Sequence, residues 1–207
     1  MILQTIQPNN ILSTLEKHGY YVNKTDFHKE NEWGFKQSYE WMKEQLNHHK
    51  ITNPYQAKHL LWAWGWAGDR NKKTVDLRTR KSNEIKDHSL ITFKKNDNEF
   101  LLSDFHLWHY VLNYWPISTH EKEHEFWDKH DNYLRYKPET NTQLDYLIKK
   151  SWNIIFKLKM SDDIYNLNLK KNILNYLEYD TTEPIIVQAC VWDIKEKDIL
   201  NIKKINF

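Results

Sequence analysis

Ile185-Ile186-Val187-Gln188-Ala189-Cys190-Val191-Trp192-Asp193-Ile194 is the stretch that decides the fold of this chain. Up to Val191, both alternating faces of the run are apolar except at Gln188, a pattern typical of a central strand covered on both sides. A buried amide must find hydrogen-bond partners, either in the protein or in a ligand. The run therefore predicts an interior strand and makes Gln188 a structural or ligand-binding residue.

Shorter patterns on either side of this run predict the remaining elements. Strands are predicted at Ile2–Gln7, His59–Ala67, Ser89–Lys94, Glu99–Ser103 and Ile202–Phe207, the third and fourth as a hairpin about Asn96-Asp97-Asn98. Helices are predicted at Ile11–His18 (stopped by Gly19), around Phe35–Leu46, at Asp104–Tyr114, Thr142–Lys157 and Ser161–Leu177. Strands and helices do not alternate regularly. We therefore predict an α+β fold with a mixed or antiparallel sheet packed against amphipathic helices.

Length and composition limit the classes of protein to consider. The 207 residues fit one compact domain, 1–207, with a highly charged, exposed excursion at about 117–141. Thirty basic and 28 acidic residues give a net charge of +2, and basic pairs such as Lys94-Lys95 are scattered in the manner of a solvated surface. Nucleic-acid binding is therefore not indicated.

Cellular location and redox chemistry are constrained by the same sequence. The single cysteine, Cys190, excludes an intramolecular disulfide framework, and its apolar surroundings favour a buried, inert thiol. Met1–Gln7 has no basic segment followed by a long apolar core, and no run approaches the ~20 apolar residues of a membrane helix. We expect a soluble, cytoplasmic protein with no membrane partner.

One segment has the form of a zinc-binding motif. His120-Glu121-Lys122-Glu123-His124 reads HExxH, and His130 follows His120 by ten residues. Two histidines at i and i+4 on one helix face can bind zinc while the glutamate activates water. Because the surrounding residues are charged and offer no apolar face, we expect a solvated segment and no metal. A zinc hydrolase is the third and weakest functional alternative.

The block Ser103–Asn113 is better placed for function, since it follows a strand and opens a helix. His109 and Asn113 are i, i+4 neighbours on one helix face, and Asp104 lies near the helix start. A carboxylate, an imidazole and an amide at this junction can orient a polar ligand or move a proton. His109 and Asp104 are therefore the candidate catalytic pair, although helix capping explains Asp104 equally well.

Tryptophans dominate the predicted strand His59–Ala67. Trp62, Trp64 and Trp66 fall on one face at period 2. Such a face is either core or a platform on which a base or a nicotinamide stacks. The strand thus adds two ligand-binding candidates, Trp62 and Trp64.

An ordered series of segments resembles a known family. The segments are Gln4–Pro8, Tyr39–Met42, Trp62–Trp64, Asp76–Arg78, Leu101–Phe105, Trp108–His109, Leu112–Asn113, Ser151–Trp152 and Gln188–Ala189. Together they resemble the bacterial and phage family called domain of unknown function 3841, over nearly the whole chain. The family name implies no activity, and the HExxH segment is not part of the pattern.

A weaker resemblance concerns layout alone. A first strand with polar residues, a helix stopped by Gly19, a Trp-rich middle strand and a closing strand-turn-strand are similar to small ADP-ribosyltransferase-like domains. That resemblance implies NAD in a cleft between two sheets, with an arginine or histidine near the first strand and a late glutamate. This sequence departs from that pattern, because its late strand carries Gln188, with Glu183 only just before it.

The leading hypothesis is a site for a small-molecule or nucleotide ligand, with NAD as a possible cofactor. In it Trp62 or Trp64 stacks on a ring, Arg78 meets a phosphate, and His109 moves a proton. The full set comprises Thr5, Gln7, Trp62, Trp64, Arg78, Asp104, His109, Asn113 and Gln188. ADP-ribosyl transfer is the enzymatic form of this hypothesis. A non-enzymatic protein that sequesters a nucleotide signal, or that contacts another protein, is the rival.

Overall fold

The computed structural model describes residues 1–24, 35–67, 86–136, 141–157 and 186–205. The chain forms two compact units. Unit 1 is drawn from Met1–Glu32, Met42–Leu102 and Ile186–Phe207, and unit 2 from Trp33–Trp41 and Ser103–Ile185. Arg78 and the predicted helix Ser161–Leu177 lie outside the described residues.

The strands form a six-stranded sheet and a small two-stranded one, and they lie in unit 1 apart from Ser103 and Asp104, the last two residues of one strand. The large sheet contains β1 (Ile2–Pro8), β3 (Leu61–Ala67), β4 (His88–Lys94), β5 (Phe100–Asp104), β6 (Ile186–Val191) and β8 (Ile199–Lys204). Its order is β5-β6-β3-β1-β4-β8, and β2 (Tyr20–Val22) pairs separately with β7 (Asp193–Lys195). Antiparallel pairing and the separate helices confirm the predicted α+β class.

The interior position of β6 was predicted correctly. It lies between β5 and β3, and Val187, Ala189 and Cys190 are fully buried. Its register against β3 shifts between Trp64 and Trp66. At Gly65, between those two residues, a Cβ atom would lie 3.2 Å from the carbonyl oxygen of Val187. The close approach of the two backbones there accounts for the glycine.

The predicted hairpin between β4 and β5 is wrong. The turn itself forms, with the Glu99 amide donating to the carbonyl of Asn96 at 2.9 Å. However, β4 pairs with β1 and β8, whereas β5 neighbours β6. Turn-forming residues set the local bend but not the partner of the strand that follows. Every residue of β5 is buried, which suits a strand beside β6 better than one beside the partly exposed β4.

Lys95 was expected among the solvated surface lysines, and that expectation is also wrong. The residue is 2 % exposed, and its Nζ lies 2.5 Å from Oδ1 of Asp193. Glu99, Lys195 and Asp198 complete a mostly buried network of charges around it. Buried charges are retained when they are paired in this way. The network holds the turn after β4 to β7 and the residues that follow.

Most helices belong to the second unit, and α1 (Asn10–His18) belongs to the first. Gly19 ends α1 at φ 73°, as predicted, with its amide donating to the carbonyl of Leu15. The others are α2 (Lys36–His48), which begins in unit 2 and continues into unit 1, α3 (Phe105–Leu112), α4 (Glu121–Asp128), α5 (Asp131–Tyr136), α6 (Thr142–Ser151) and α7 (Ile154–Lys157). None of the helices in the described ranges is both long and apolar enough to cross a lipid bilayer.

Aromatic side chains pack together in the core of unit 2. The Trp152 side chain is fully buried and meets the rings of Trp41 and Tyr114 edge-on at 5.2 and 5.0 Å. Its Nε1 donates to the carbonyl of Trp115 at 2.7 Å. In the segment predicted to be an exposed excursion, α4 carries many exposed side chains, whereas Ile117 and Trp127 are buried.

Candidate functional site

Five strands of the large sheet contribute one side chain each to a single cross-strand row. Reading across the sheet, Asn201 is opposite Thr92, Thr92 is opposite Gln4, Gln4 is opposite Trp64, and Trp64 is opposite Gln188. Directly opposed residues of antiparallel strands point to the same face. We call these five residues the polar row.

Exposure decreases along the polar row. Asn201 is exposed, Thr92, Gln4 and Trp64 are partly exposed, and Gln188 is buried. The Gln4 amide donates to the Thr92 hydroxyl at 3.1 Å, which fixes the orientation of that glutamine. None of the five side chains is ionisable. The row can therefore stack a ring and form hydrogen bonds with it, but it cannot by itself transfer a proton.

A second indole lies on the same face. Trp62 is two residues before Trp64 in β3, so the two indoles stand about 7 Å apart along the strand. Trp62 is opposite Cys190, whose thiol is buried. The structure thus brings together three residues of the predicted ligand site: Trp62, Trp64 and Gln188.

Thr5 and Gln7 point to the opposite face of β1. Thr5 follows Gln4 directly and is opposite the fully buried Ile91. Its hydroxyl donates to the carbonyl of Trp62 at 2.8 Å and accepts from the Gln7 amide at 2.9 Å. These two residues therefore support the backbone of β3 from the other side of the sheet and do not share a face with the indoles.

The candidate catalytic pair lies in unit 2, with Asp104 at the N-cap of α3 and His109 in the last turn of that helix. Oδ1 of Asp104 accepts from the backbone amides of His106 and Leu107 at 2.8 and 3.0 Å. Nδ1 of the exposed His109 lies 2.9 Å from the carbonyl of Phe105, and the Asn113 amide donates to the carbonyl of His109 at 2.7 Å. All of these bonds satisfy the backbone of α3, and Asp104 occupies the N-cap position.

Substituting Asp104 tests this capping geometry. We expect Asp104→Ala to lower the free energy of unfolding by about 1 kcal/mol, because two amides of the first helical turn lose their acceptor. Asp104→Asn keeps an oxygen at the same place and should lose much less. Urea unfolding followed by circular dichroism measures both. Equal losses for the two variants would contradict the capping role.

A cluster around Asp145 in unit 2 also contains ionisable groups. The hydroxyls of Tyr133 and Tyr114 both donate to its Oδ1, at 2.7 and 3.2 Å. Burial and the Asp145 carboxylate raise the pKa of Tyr133 to about 12 and raise the pKa of Tyr114 further above its ordinary value. Both phenols therefore remain protonated donors near neutral pH, and the cluster ties the end of α3 to α5 and α6.

The HExxH segment does not place its two histidines on one helix face. His120 precedes α4 in an extended conformation, at φ −157° and ψ 163°, whereas His124 lies within the helix. Nε2 of His120 is 3.4 Å from Glu123, and Nε2 of His124 is 3.7 Å from Asp128. Within the described ranges, no group of three or more His, Cys, Asp or Glu side chains has a metal-binding arrangement.

Three members of the polar row were not among the predicted site residues: Gln4, Thr92 and Asn201. Their common signal is a polar side chain at an alternating position of a strand, which is frequent on solvated sheet faces. Only the register of the strands shows that they line up with Trp64 and Gln188.

Comparison with protein families identifies the family of this chain. The model of a family described as "Domain of unknown function (DUF3841)" matches residues 2–200. Neither a curated protein nor a solved structure matches the chain.

Proposed function

Since the chain belongs to the family described as domain of unknown function DUF3841, a description that states no activity, we propose a function from the polar row: reversible binding of a planar, nucleobase-like small molecule. The observation that carries the proposal is the placement of Trp64 between two amide side chains, Gln4 and Gln188, in one register. An indole and flanking amides are complementary to the face and the edge of a heteroaromatic ring.

The chemistry of these side chains favours a nitrogen-containing ring over a purely apolar one. Stacking of a base on an aromatic side chain contributes about 1–3 kcal/mol and tolerates any base. A glutamine amide carries a donor and an acceptor, and it can form two hydrogen bonds with the edge of adenine. Gln188 is buried, so a ring edge that reaches it is shielded from competing water.

The same residues support binding rather than turnover. ADP-ribosyl transfer needs a group that stabilises a cationic, oxocarbenium-like transition state. The polar row offers neutral amides at the corresponding strands, Gln4 in β1 and Gln188 in β6. The hydrogen bonds of Asp104 and His109 described above serve the backbone of α3. A phosphate contact from Arg78 remains a prediction.

Removing the indole of Trp64 tests the proposal. We expect Trp64→Ala to weaken the binding of AMP and NAD by about 5- to 150-fold, the equivalent of one lost stacking contact. Isothermal titration calorimetry measures both affinities. Trp115→Ala, which removes a half-exposed indole from unit 2, is the matched control and should bind as the wild-type chain does.

Two results would overturn the proposal. One is a wild-type chain that shows neither heat of binding nor thermal stabilisation with AMP, NAD or adenine. The other is a Trp64→Ala variant that binds these ligands as tightly as wild type. If the wild-type chain released nicotinamide from NAD and the His109→Ala variant did not, the enzymatic hypothesis would replace the binding proposal. Each variant is first compared with wild type by circular dichroism.

A further inference from the structure

Unit 2 contains a cleft of about 500 Å³, independent of the polar row. The cleft is bounded by α4 with the residues just before it, and by the end of α6 with the beginning of α7. Apolar side chains of Ile117, Trp127, Leu147 and Ile154 contribute to its lining. Its volume lies within the range of about 300–1,000 Å³ that is usual for small-molecule sites.

Cations exceed anions among the residues that line this cleft. Lys122 from α4 and Lys150 from α6 both contribute, together with the exposed His120. Within the part of the chain that the structure describes, neither lysine forms an ion pair. Two ammonium groups beside an apolar surface are complementary to a ligand that combines an anionic head with an apolar body.

Among the described residues that line the cleft, Glu123 carries the one carboxylate, and that carboxylate is already engaged. Oε2 of Glu123 accepts from the amide and the hydroxyl of Thr119, at 2.8 and 3.0 Å. Its Oε1 lies 3.4 Å from Nε2 of His120. These contacts tie Glu123, in the first turn of α4, to the two residues that precede the helix. Glu123 therefore leaves the two lysines available to a ligand.

We infer that this cleft binds small amphipathic carboxylates, with the apolar body against Trp127 and Leu147 and the carboxylate between Lys122 and Lys150. An uncharged molecule of the same shape gains the apolar contacts but leaves both ammonium groups to water. A fully polar anion gains only the charge contacts. Selectivity for molecules that carry both features is thus the expected property of the site.

Octanoate and its uncharged counterpart 1-octanol separate these contributions. We expect calorimetry to show octanoate binding about tenfold more tightly than 1-octanol, with an affinity that falls as salt is added. The double variant Lys122→Gln/Lys150→Gln should lose that preference and bind both molecules alike. The control Lys129→Gln/Lys149→Gln removes the same charge outside the cleft, from the residue that follows α4 and from α6, and it should keep the preference.

Three outcomes would overturn this inference: no heat with octanoate at millimolar concentration, equal binding of octanoate and 1-octanol by wild type, or an unchanged preference in the Lys122→Gln/Lys150→Gln variant. Octanoate has no ring to stack, so Trp64→Ala should leave its binding unchanged. AMP binding in the lysine variant tests the polar row separately. Failure of one site is therefore distinguishable from failure of the other.

Discussion

Replacing Lys95 by methionine is expected to lower the free energy of unfolding by about 3–5 kcal/mol, because the change removes one partner from a buried ion network. Nζ of Lys95 lies 2.5 Å from Asp193, 3.6 Å from Asp198 and 4.0 Å from Glu99. Asp193 is itself 3 % exposed, so the substitution leaves its charge buried without its closest cation. Urea unfolding followed by far-ultraviolet circular dichroism gives the loss.

Lys94→Met is the matched control. Lys94 precedes Lys95 in the chain and is exposed, so its replacement should change stability by no more than about 0.5 kcal/mol. The double variant Lys95→Met/Asp193→Leu should recover much of the loss, because it removes both charges together. Equal unfolding midpoints for Lys95→Met and Lys94→Met would show that the network does not stabilise the fold.

Glu99 illustrates how this network keeps its charges. Burial alone raises the pKa of the Glu99 carboxyl, but the hydrogen bonds from Lys195 and the Asn96 amide, together with the charges of Lys95 and Lys195, lower it by more. The pKa of Glu99 therefore lies below its ordinary value. Burial alone lowers the pKa of Lys195, but the hydrogen bond to Glu99 and the nearby carboxylates raise it by more. Both groups remain ionised near neutral pH, where each supports the charge of the other.

Local patterns in the sequence predicted the elements of this fold better than their partners. Gly19 stops α1 as expected, because a left-handed cap depends on a single residue. The interior position of β6 follows from its apolar run. The partners of β4 and β5 could not be inferred from the turn at Asn96, because the two strands do not pair with each other and their partners lie elsewhere in the sheet. Non-local pairing depends on which faces must be buried together.

In the candidate site, too, the sequence did not predict which residues lie together. From sequence, the polar residues of the first strand were interchangeable, and Thr5 and Gln7 were placed in the ligand site. A shift of one residue moves a side chain to the other face of a sheet. The register of β1 against β3 aligns Gln4, rather than Thr5, with Trp64. The same alternation of faces accounts for the burial of Lys95, which follows the buried Ser89, Ile91 and Phe93 at every second position.

Trp152 carries the second large expected effect. Trp152→Ala should lower the free energy of unfolding by about 3–5 kcal/mol, the usual cost of deleting a fully buried aromatic side chain. The change opens a cavity between Trp41 and Tyr114, both of which meet the indole edge-on. It also removes the Nε1 donor from the carbonyl of Trp115. Urea unfolding by circular dichroism measures the loss.

Trp115→Ala separates the core contribution of Trp152 from a general effect of losing an indole. Trp115 is 49 % exposed, and the alanine variant keeps the backbone carbonyl that accepts from Trp152. Its stability should therefore stay within about 0.5 kcal/mol of wild type. Trp152→Phe should fall between the two, because it refills part of the cavity but lacks the indole donor. If Trp152→Ala unfolded at the same urea concentration as Trp115→Ala, then the cluster around Trp152 would not be the core that stabilises unit 2.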